Sequence, residues 1–313
     1  MQFFNKQTNI DFMGRRRVAL IVSAILLLVS IGSLATRGLN FGIDFTGGTL
    51  VEVGYSQPVG LDSVRGGLAE AGFDDAIVQH FGTSKDVLVR LPPQDGNSTA
   101  EISSRALAAL SPAGDNMVMR RVEFVGPQVG EELTEQGGLA VLFALAAILV
   151  YVALRFEWRF AMGSVAALTH DVLITLGVFS LLQVEFDLSV LAAVLAVIGY
   201  SLNDTIVVFD RIRERFREML KAETIDVMNL SINQTLGRTI MTSVTTLLVL
   251  LALFFLGGEV IHGFSIALLV GVVVGTYSSI FVASTSALAL GVTQENLMPV
   301  EVEGADQPFD NMP

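Results

Sequence analysis

The chain has 313 residues, 52% of them hydrophobic and 16% charged, whereas soluble domains carry about 25% charged residues, so an ordinary soluble protein is excluded. The formal net charge is −12 and there is no cysteine, which excludes disulfides. None of the three lysines (Lys6, Lys85, Lys221) follows a glycine, which excludes a P-loop.

A helix needs about 20 predominantly apolar residues to cross a bilayer, and six runs qualify. Residues 1–17 precede the first and carry Lys6, Arg15, Arg16 and Arg17. The run 18–36 ends at Ser33-Leu34-Ala35 in the manner of a signal peptide. It exceeds the apolar core of about 7–15 residues usual for one, so it is read as an uncleaved first span.

The long segment 37–137 follows, and within it residues 41–126 read as a small α+β domain. Gly47-Gly48 is a turn feeding the first strand, and Asp44 caps or binds locally. Thr49, Val51, Val53 and Tyr55 alternate on one strand face. Residues 61–71 are helical, with Leu61, Val64, Leu68 and Ala71 on one side. Residues 76–81 and 86–91 are short strands. Pro92-Pro93 through Ser98 is a loop, and 99–110 is a helix capped by Ser98 or Thr99 with Glu101 close behind. Val118, Arg120, Val122 and Phe124 alternate in a last strand. The succession β-α-β-β-α-β is that of a ferredoxin-like domain. With 14 acidic against 7 basic residues in segment 37–137, nucleic acid is not an expected partner.

The remaining spans are 138–154, 160–182, 189–209, 239–256 and 263–290. Arg155 and Arg159 lie between the second and third. Arg211, Arg213, Arg215, Arg217, Lys221 and Arg238 lie around the connection 210–238, read as a charged helix at the membrane surface. Loops 183–188 and 257–262 carry no Lys or Arg. Basic short loops stay in the cytoplasm, which puts both termini there and the inserted domain outside. The acidic tail 291–313 is read as a disordered cytoplasmic segment.

Motifs for metal binding and for a serine nucleophile elbow are missing, and the three histidines are scattered. No cofactor or metal is expected, nor is enzyme activity; work would draw on a gradient or a partner. An ionisable residue inside a span is costly, about 2.5–3.5 kcal/mol for Asp on an insertion scale, and is a functional candidate by default. Asp204 lies seven residues before Arg211, about 10 Å deep at 1.5 Å per residue, and points along the same line. It can bind and release a proton, or simply hydrogen-bond another helix. Asn203 and Gly199 share the adjoining face, where a small residue admits a neighbouring helix. Arg238 either snorkels to the interface or turns inward to pair with Asp204. Asp171 faces the bundle near the middle of the third span, as a functional group or simply hydrogen-bonded to a neighbouring Ser or Thr. His170 beside it cannot share its helical face, so a direct relay between the two is not expected. Gly271 and Gly275, followed by a run of Ser and Thr, form a packing motif.

Phe41-Gly-Ile-Asp-Phe-Thr-Gly-Gly-Thr49, Val125-Gly-Pro-Gln-Val-Gly-Glu-Glu-Leu133, His170-Asp171-Val172, Gly199-Tyr-Ser-Leu-Asn-Asp-Thr-Ile-Val-Val-Phe-Asp-Arg-Ile-Arg-Glu214 and Gly237-Arg-Thr-Ile-Met-Thr-Ser243 together resemble the SecF family. These are membrane subunits of the bacterial protein-export machinery, and the resemblance covers about residues 14–290. It implies six spans of RND-superfamily architecture in the bacterial inner membrane. It also implies pairing with SecD, association with the SecYEG channel and YajC, and use of the proton motive force to promote export of unfolded proteins. In such proteins the fourth-span Asp and the fifth-span Arg are tied to proton conduction; these correspond to Asp204 and Arg238, with Asn203 and Asp171 as possible supports. The resemblance favours pairing Asp204 with Arg238.

A purely structural subunit that stabilises SecD or the channel is a further reading open to this sequence, and two rival readings are weaker. An RND-type exporter of small molecules or lipids would need a second half and a substrate route. An intramembrane hydrolase built on Ser201 and His170 lacks an oxyanion motif, and the two residues are expected at different depths.

Overall fold

The computed structural model describes residues 8–93, 99–111, 117–219 and 221–293. Six helical stretches are long and apolar enough to span a membrane. They are α1 (Arg16–Arg37), α5 (Pro127–Arg155), α6 (Trp158–Leu182), α7 (Leu188–Glu218), α8 (Thr224–Leu256) and the last stretch, Glu259–Ala289. The last contains α9 (His262–Ser278), a π-helical turn (Ser279–Ala283) and α10 (Ser284–Ala289). Helix α6 is central and packs against α1, α5, α7 and α9, while α8 lies against α7 and α9.

Two boundaries differ from the sequence expectation. Helix α5 begins at Pro127, eleven residues before its apolar run, because proline fits the first helical position, where its missing N–H costs nothing. The connection 210–238 is not a separate surface helix. Helix α7 runs on to Glu218 and α8 starts at Thr224. The charged residues interrupt an apolar pattern that keeps helical spacing, so Phe209, Ile212, Phe216, Val227, Met228 and Ile232 bury into one cluster with Phe12 and Met13. Arg211 and Arg215 brace the pair of helices by donating to Gln234 Oε1 at 2.6 and 2.9 Å.

The N-terminal segment is strapped across α8. The Asn233 amide accepts from Ile10 N (2.9 Å) and donates to Ile10 O (2.8 Å). Asn229 accepts from Met13 N (2.8 Å) and donates to Asp11 Oδ1 (2.9 Å).

Between α1 and α5 lie β1 (Asn40–Phe41), α2 (Ile43–Thr46), β2 (Gly48–Gly54), α3 (Leu61–Glu70), β3 (Ile77–Phe81), β4 (Thr83–Leu91), α4 (Thr99–Leu110) and β5 (Val118–Val125). From β2 onward this is the β-α-β-β-α-β succession. The four strands stand in the order β3-β4-β2-β5, every neighbouring pair antiparallel. Val51, Val53 and Tyr55, on the expected strand face, pack with Val64 and Leu68 of α3 and with Ile102, Ala106 and Leu110 of α4. The alternation expected for β5 fails at a bulge opposite Glu52 and Val53. Val122 lies opposite Val51, but Met119 takes the place opposite Val53, and Arg120 pairs with Asp86 at 2.7 Å. The bulge flips the face, because strand side chains alternate with period two. The expected cap at Ser98 or Thr99 and the loop from Pro93 to Ser98 fall largely outside the described residues, as does most of the tail 291–313.

The Gly47-Gly48 turn is obligatory in this packing. Gly48 has φ +124°, and a Cβ there would stand 2.4 Å from Leu91 O. Asp44 does act as a cap: its Oδ2 accepts from Leu188 N, at the start of α7, at 2.9 Å. A sixth strand, β6 (Glu185–Phe186), precedes α7 and pairs in parallel with β1.

Candidate functional site

Polar side chains line the contact between α6, α7 and α9. Asp171, 1% exposed, is their hub. Its Oδ2 accepts from Ser201 Oγ on α7 (2.6 Å) and Ser278 Oγ on α9 (2.7 Å). Its Oδ1 meets His170 Nδ1 at 2.9 Å. The helical argument against a His170–Asp171 contact therefore fails. Successive side chains leave the helix in different directions, yet both are aimed into one crevice and their flexible ends close on each other.

Small residues make this convergence possible. A Cβ on Gly271 would stand 2.1 Å from Val197 Cγ2, and one on Gly275 would stand 3.0 Å from Ser201 Cβ. The Gly271/Gly275 motif thus packs α9 onto α7 within this chain, bringing Ser201 and Ser278 to the same carboxylate. Ser278 ends α9, where the backbone passes into the π-turn, a local irregularity often found at functional sites. Beyond His170 the network reaches α1. Tyr277 stacks on the His170 ring with centroids 6.2 Å apart. Its hydroxyl donates to Ala19 O (2.6 Å) and lies 3.0 Å from Ser23 Oγ.

Asp204 lies one turn beyond Ser201 on the same helix, about 4.5 Å along the axis. It is 3% exposed, and among the described residues its Oδ2 has no hydrogen-bond partner. Thr205 Oγ1 and Thr239 Oγ1 are likewise buried without partners. Among the described residues no ion pair joins Asp204 to Arg238, whose side chain is exposed on α8. Asn203 and Gly199 also lie outside the bundle. Both are exposed, and among the described residues nothing beyond the local helix backbone and chain neighbours lies within 4 Å of a Cβ built on Gly199.

The site therefore holds two carboxyl groups in contrasting surroundings. Asp171 is saturated with hydrogen bonds, and Asp204 is buried with an orphaned oxygen. Among the described residues no three His, Asp or Glu side chains are grouped to hold a metal ion. The sequence reading allowed a hydrogen bond from Asp171 to a Ser or Thr without naming Ser201 or Ser278, and it missed Tyr277. It also set Ser201 and His170 at different depths, whereas both meet Asp171. The one signal for Ser278 was its place three residues after Gly275 on the same small-residue face. No direct Ser201–His170 hydrogen bond occurs among the described residues, since Asp171 stands between them.

Fold and site together define a multi-pass membrane protein with an inserted α/β domain and ionisable groups buried between its spans. Residues 106–293 match the description "Protein export membrane protein SecD/SecF, C-terminal", and residues 32–59 match "SecD/SecF GG Motif". The chain is 54% identical over 313 residues to the protein translocase subunit SecF of Vibrio alginolyticus, covering 100% of this chain and 99% of the relative. It is 54% identical over 296 residues to that of Pseudomonas aeruginosa, covering 94% and 95%. The crystal structure of SecDF, a translocon-associated membrane protein from Thermus thermophilus, superposes with a TM-score of 0.83 at 41% identity. The match covers 93% of this chain but 39% of that one. The chain belongs to the SecD/SecF family of protein-export membrane proteins.

Proposed function

We propose that this chain is the SecF-type half of a two-part, proton-driven export motor whose other half is a SecD-type chain. The motor promotes passage of unfolded proteins through the SecYEG channel of the inner membrane, with YajC as a further partner. Both termini are cytoplasmic and the α/β domain, which we read as ferredoxin-like from its strand order, is extracytoplasmic. The chain acts as a transport subunit and not as an enzyme.

The observation that carries this reading is Asp204, a carboxyl group buried in a spanning helix with an oxygen that no protein atom satisfies. A buried charge is costly unless paired, so the charged and protonated forms of Asp204 favour different arrangements of its neighbours. Arg238, on the next helix, is free to approach when Asp204 is charged and to withdraw when it is not. Asp171 supports the cycle by holding α6, α7 and α9 in register through Ser201 and Ser278. A switch of this kind needs two states with different proton affinity.

The need for a second half is supported by the strip Ala192, Ala196, Gly199 and Asn203. These residues recur at helical spacing on α7 and are all exposed. A polar Asn203 facing lipid is unfavourable, whereas small residues around it admit a partner helix and let the amide hydrogen-bond across it.

The test is Asp204→Asn in the purified complex, reconstituted with the channel in vesicles. Proton-dependent export is expected to fall to the level seen without a gradient. Undiminished gradient-dependent export would remove Asp204 from the mechanism.

A further inference from the structure

The α/β domain is fastened to the start of α7 through a buried arginine. Arg90 on β4 is 5% exposed, deep for a charged side chain. Its guanidinium donates to Phe41 O (3.1 Å) and Asn40 Oδ1 (3.4 Å) of β1, and lies 3.2 Å from Glu185 Oε2 of β6. It thus bridges the chain leaving α1 and the chain entering α7. Its Nε and Nη2 are buried without an aligned hydrogen bond, so the Glu185 contact is an ion pair and not a bidentate clamp. The same junction holds the first turn of α7, where Asp44 accepts from Leu188 N and Asp187 from Val190 N at 2.8 Å.

We propose that Arg90 and Glu185 are a positioning pair that ties the α/β domain to the α7 terminus. With the Glu185 carboxylate in place, Arg90 is neutralised where it lies. With that carboxylate removed by substitution, a buried cation keeps only a carbonyl and an amide oxygen, and moving toward water becomes favourable. The groups facing Glu185 are Arg90 from β4, Asp44 from α2, Asp187 at the start of α7 and Gln79 from β3. Burial pushes the Glu185 carboxyl above its ordinary range. Arg90 opposes this, and Asp187 and Asp44 reinforce it. Helix α7 carries Asp204 four turns further on, so domain and carboxyl ride on one rigid element. The role in export rests on the proton-coupled reading above, whereas the tie itself does not.

The experiment uses the full chain in lipid nanodiscs. It has no native cysteine, so spin labels placed through Ser84→Cys on the exposed start of β4 and Leu182→Cys at the end of α6 report the domain-to-bundle distance. At about pH 7 the wild-type chain is expected to give a narrow distance distribution. In Glu185→Gln the displaced population should grow by roughly threefold or more, and Glu185→Asp is expected to restore the narrow distribution. A Glu185→Gln chain whose distribution matches the wild type overturns the proposal. Asp204→Asn is expected to keep the narrow distribution while stopping gradient-driven export, so failure of either idea is recognised separately.

Discussion

Ser201 on α7 donates a 2.6 Å hydrogen bond to the Asp171 carboxylate on α6, and Ser278 on α9 donates to the same oxygen from the other side. One acceptor atom thus joins three spanning helices. An interhelical hydrogen bond in a membrane protein contributes about 0.6 kcal/mol on average and up to about 1.7. Ser201→Ala and Ser278→Ala are each expected to cost about 1 kcal/mol in thermal or denaturant unfolding in detergent. The double variant should cost more than the sum, because it leaves a buried oxygen with no donor. Strict additivity would show that Asp171 finds another partner.

Gly271→Leu tests the close approach behind that arrangement. Even a Cβ would overlap Val197, and overpacking of a tight contact costs about 1–3 kcal/mol. The variant should lower the unfolding midpoint and weaken the added effect of Ser201→Ala, since α9 and α7 would already be apart. Unchanged stability would mean that the helices separate freely.

Gly199→Leu should behave in the opposite way. Among the described residues nothing beyond the local helix backbone and chain neighbours stands within 4 Å of a Cβ there, and substitutions away from buried features stay within about 0.5 kcal/mol. Stability of the isolated chain should hold, while co-purification with the SecD-type partner falls severalfold. Intact association would place the partner on another face.

The N-terminal strap gives a prediction of its own. Asn233→Ala removes the amide that pairs with both Ile10 backbone groups, and should cost about 1–2 kcal/mol and expose residues near Ile10 to limited proteolysis. Asp11 titration should not imitate this near neutrality. Its carboxyl is held below the usual range by the Gly14 backbone N–H first and then by Asn229. A depressed carboxylate contributes stability above its unfolded value and loses it only as pH falls through the lower folded value. Cleavage of the wild-type strap should therefore be the same at about pH 5 and about pH 8.

Glu185 has the reverse sign. Its folded value is raised, first by burial, so its contribution to global stability is fully present below the ordinary glutamate value of 4.5. That contribution is lost as pH rises through the folded value. Unfolding midpoints measured against pH should fall across this window in the wild type and flatten in Glu185→Gln. Equal slopes in the two chains would show that Glu185 does not titrate there.

The six spans were legible because an apolar run of about 20 residues has no other economical fate in a folded chain. The domain's strand and helix order was legible because periods of 2 and 3.6 are local properties. Asp204 stood out for the same reason, since a carboxylate in an apolar run is conspicuous wherever it folds. Partnership was not legible. Residue spacing left Arg238 either snorkelling or paired with Asp204 and separated His170 from Asp171; in the structure His170 Nδ1 meets Asp171 Oδ1, and the Arg238 side chain is exposed. The structure also pairs β1 with β6, brings Asp44 to Leu188 across 144 residues, and gathers Ser201 and Ser278 on one oxygen. Such contacts depend on how closely helices approach and which way each is turned. That is decided by glycines such as Gly271 and Gly275 meeting a particular neighbour, and no local pattern states which neighbour it will be. Sequence alone thus determined the membrane class, the inserted domain and the costly carboxylates; only tertiary packing decided which groups satisfy them and left Asp204 with an oxygen unsatisfied.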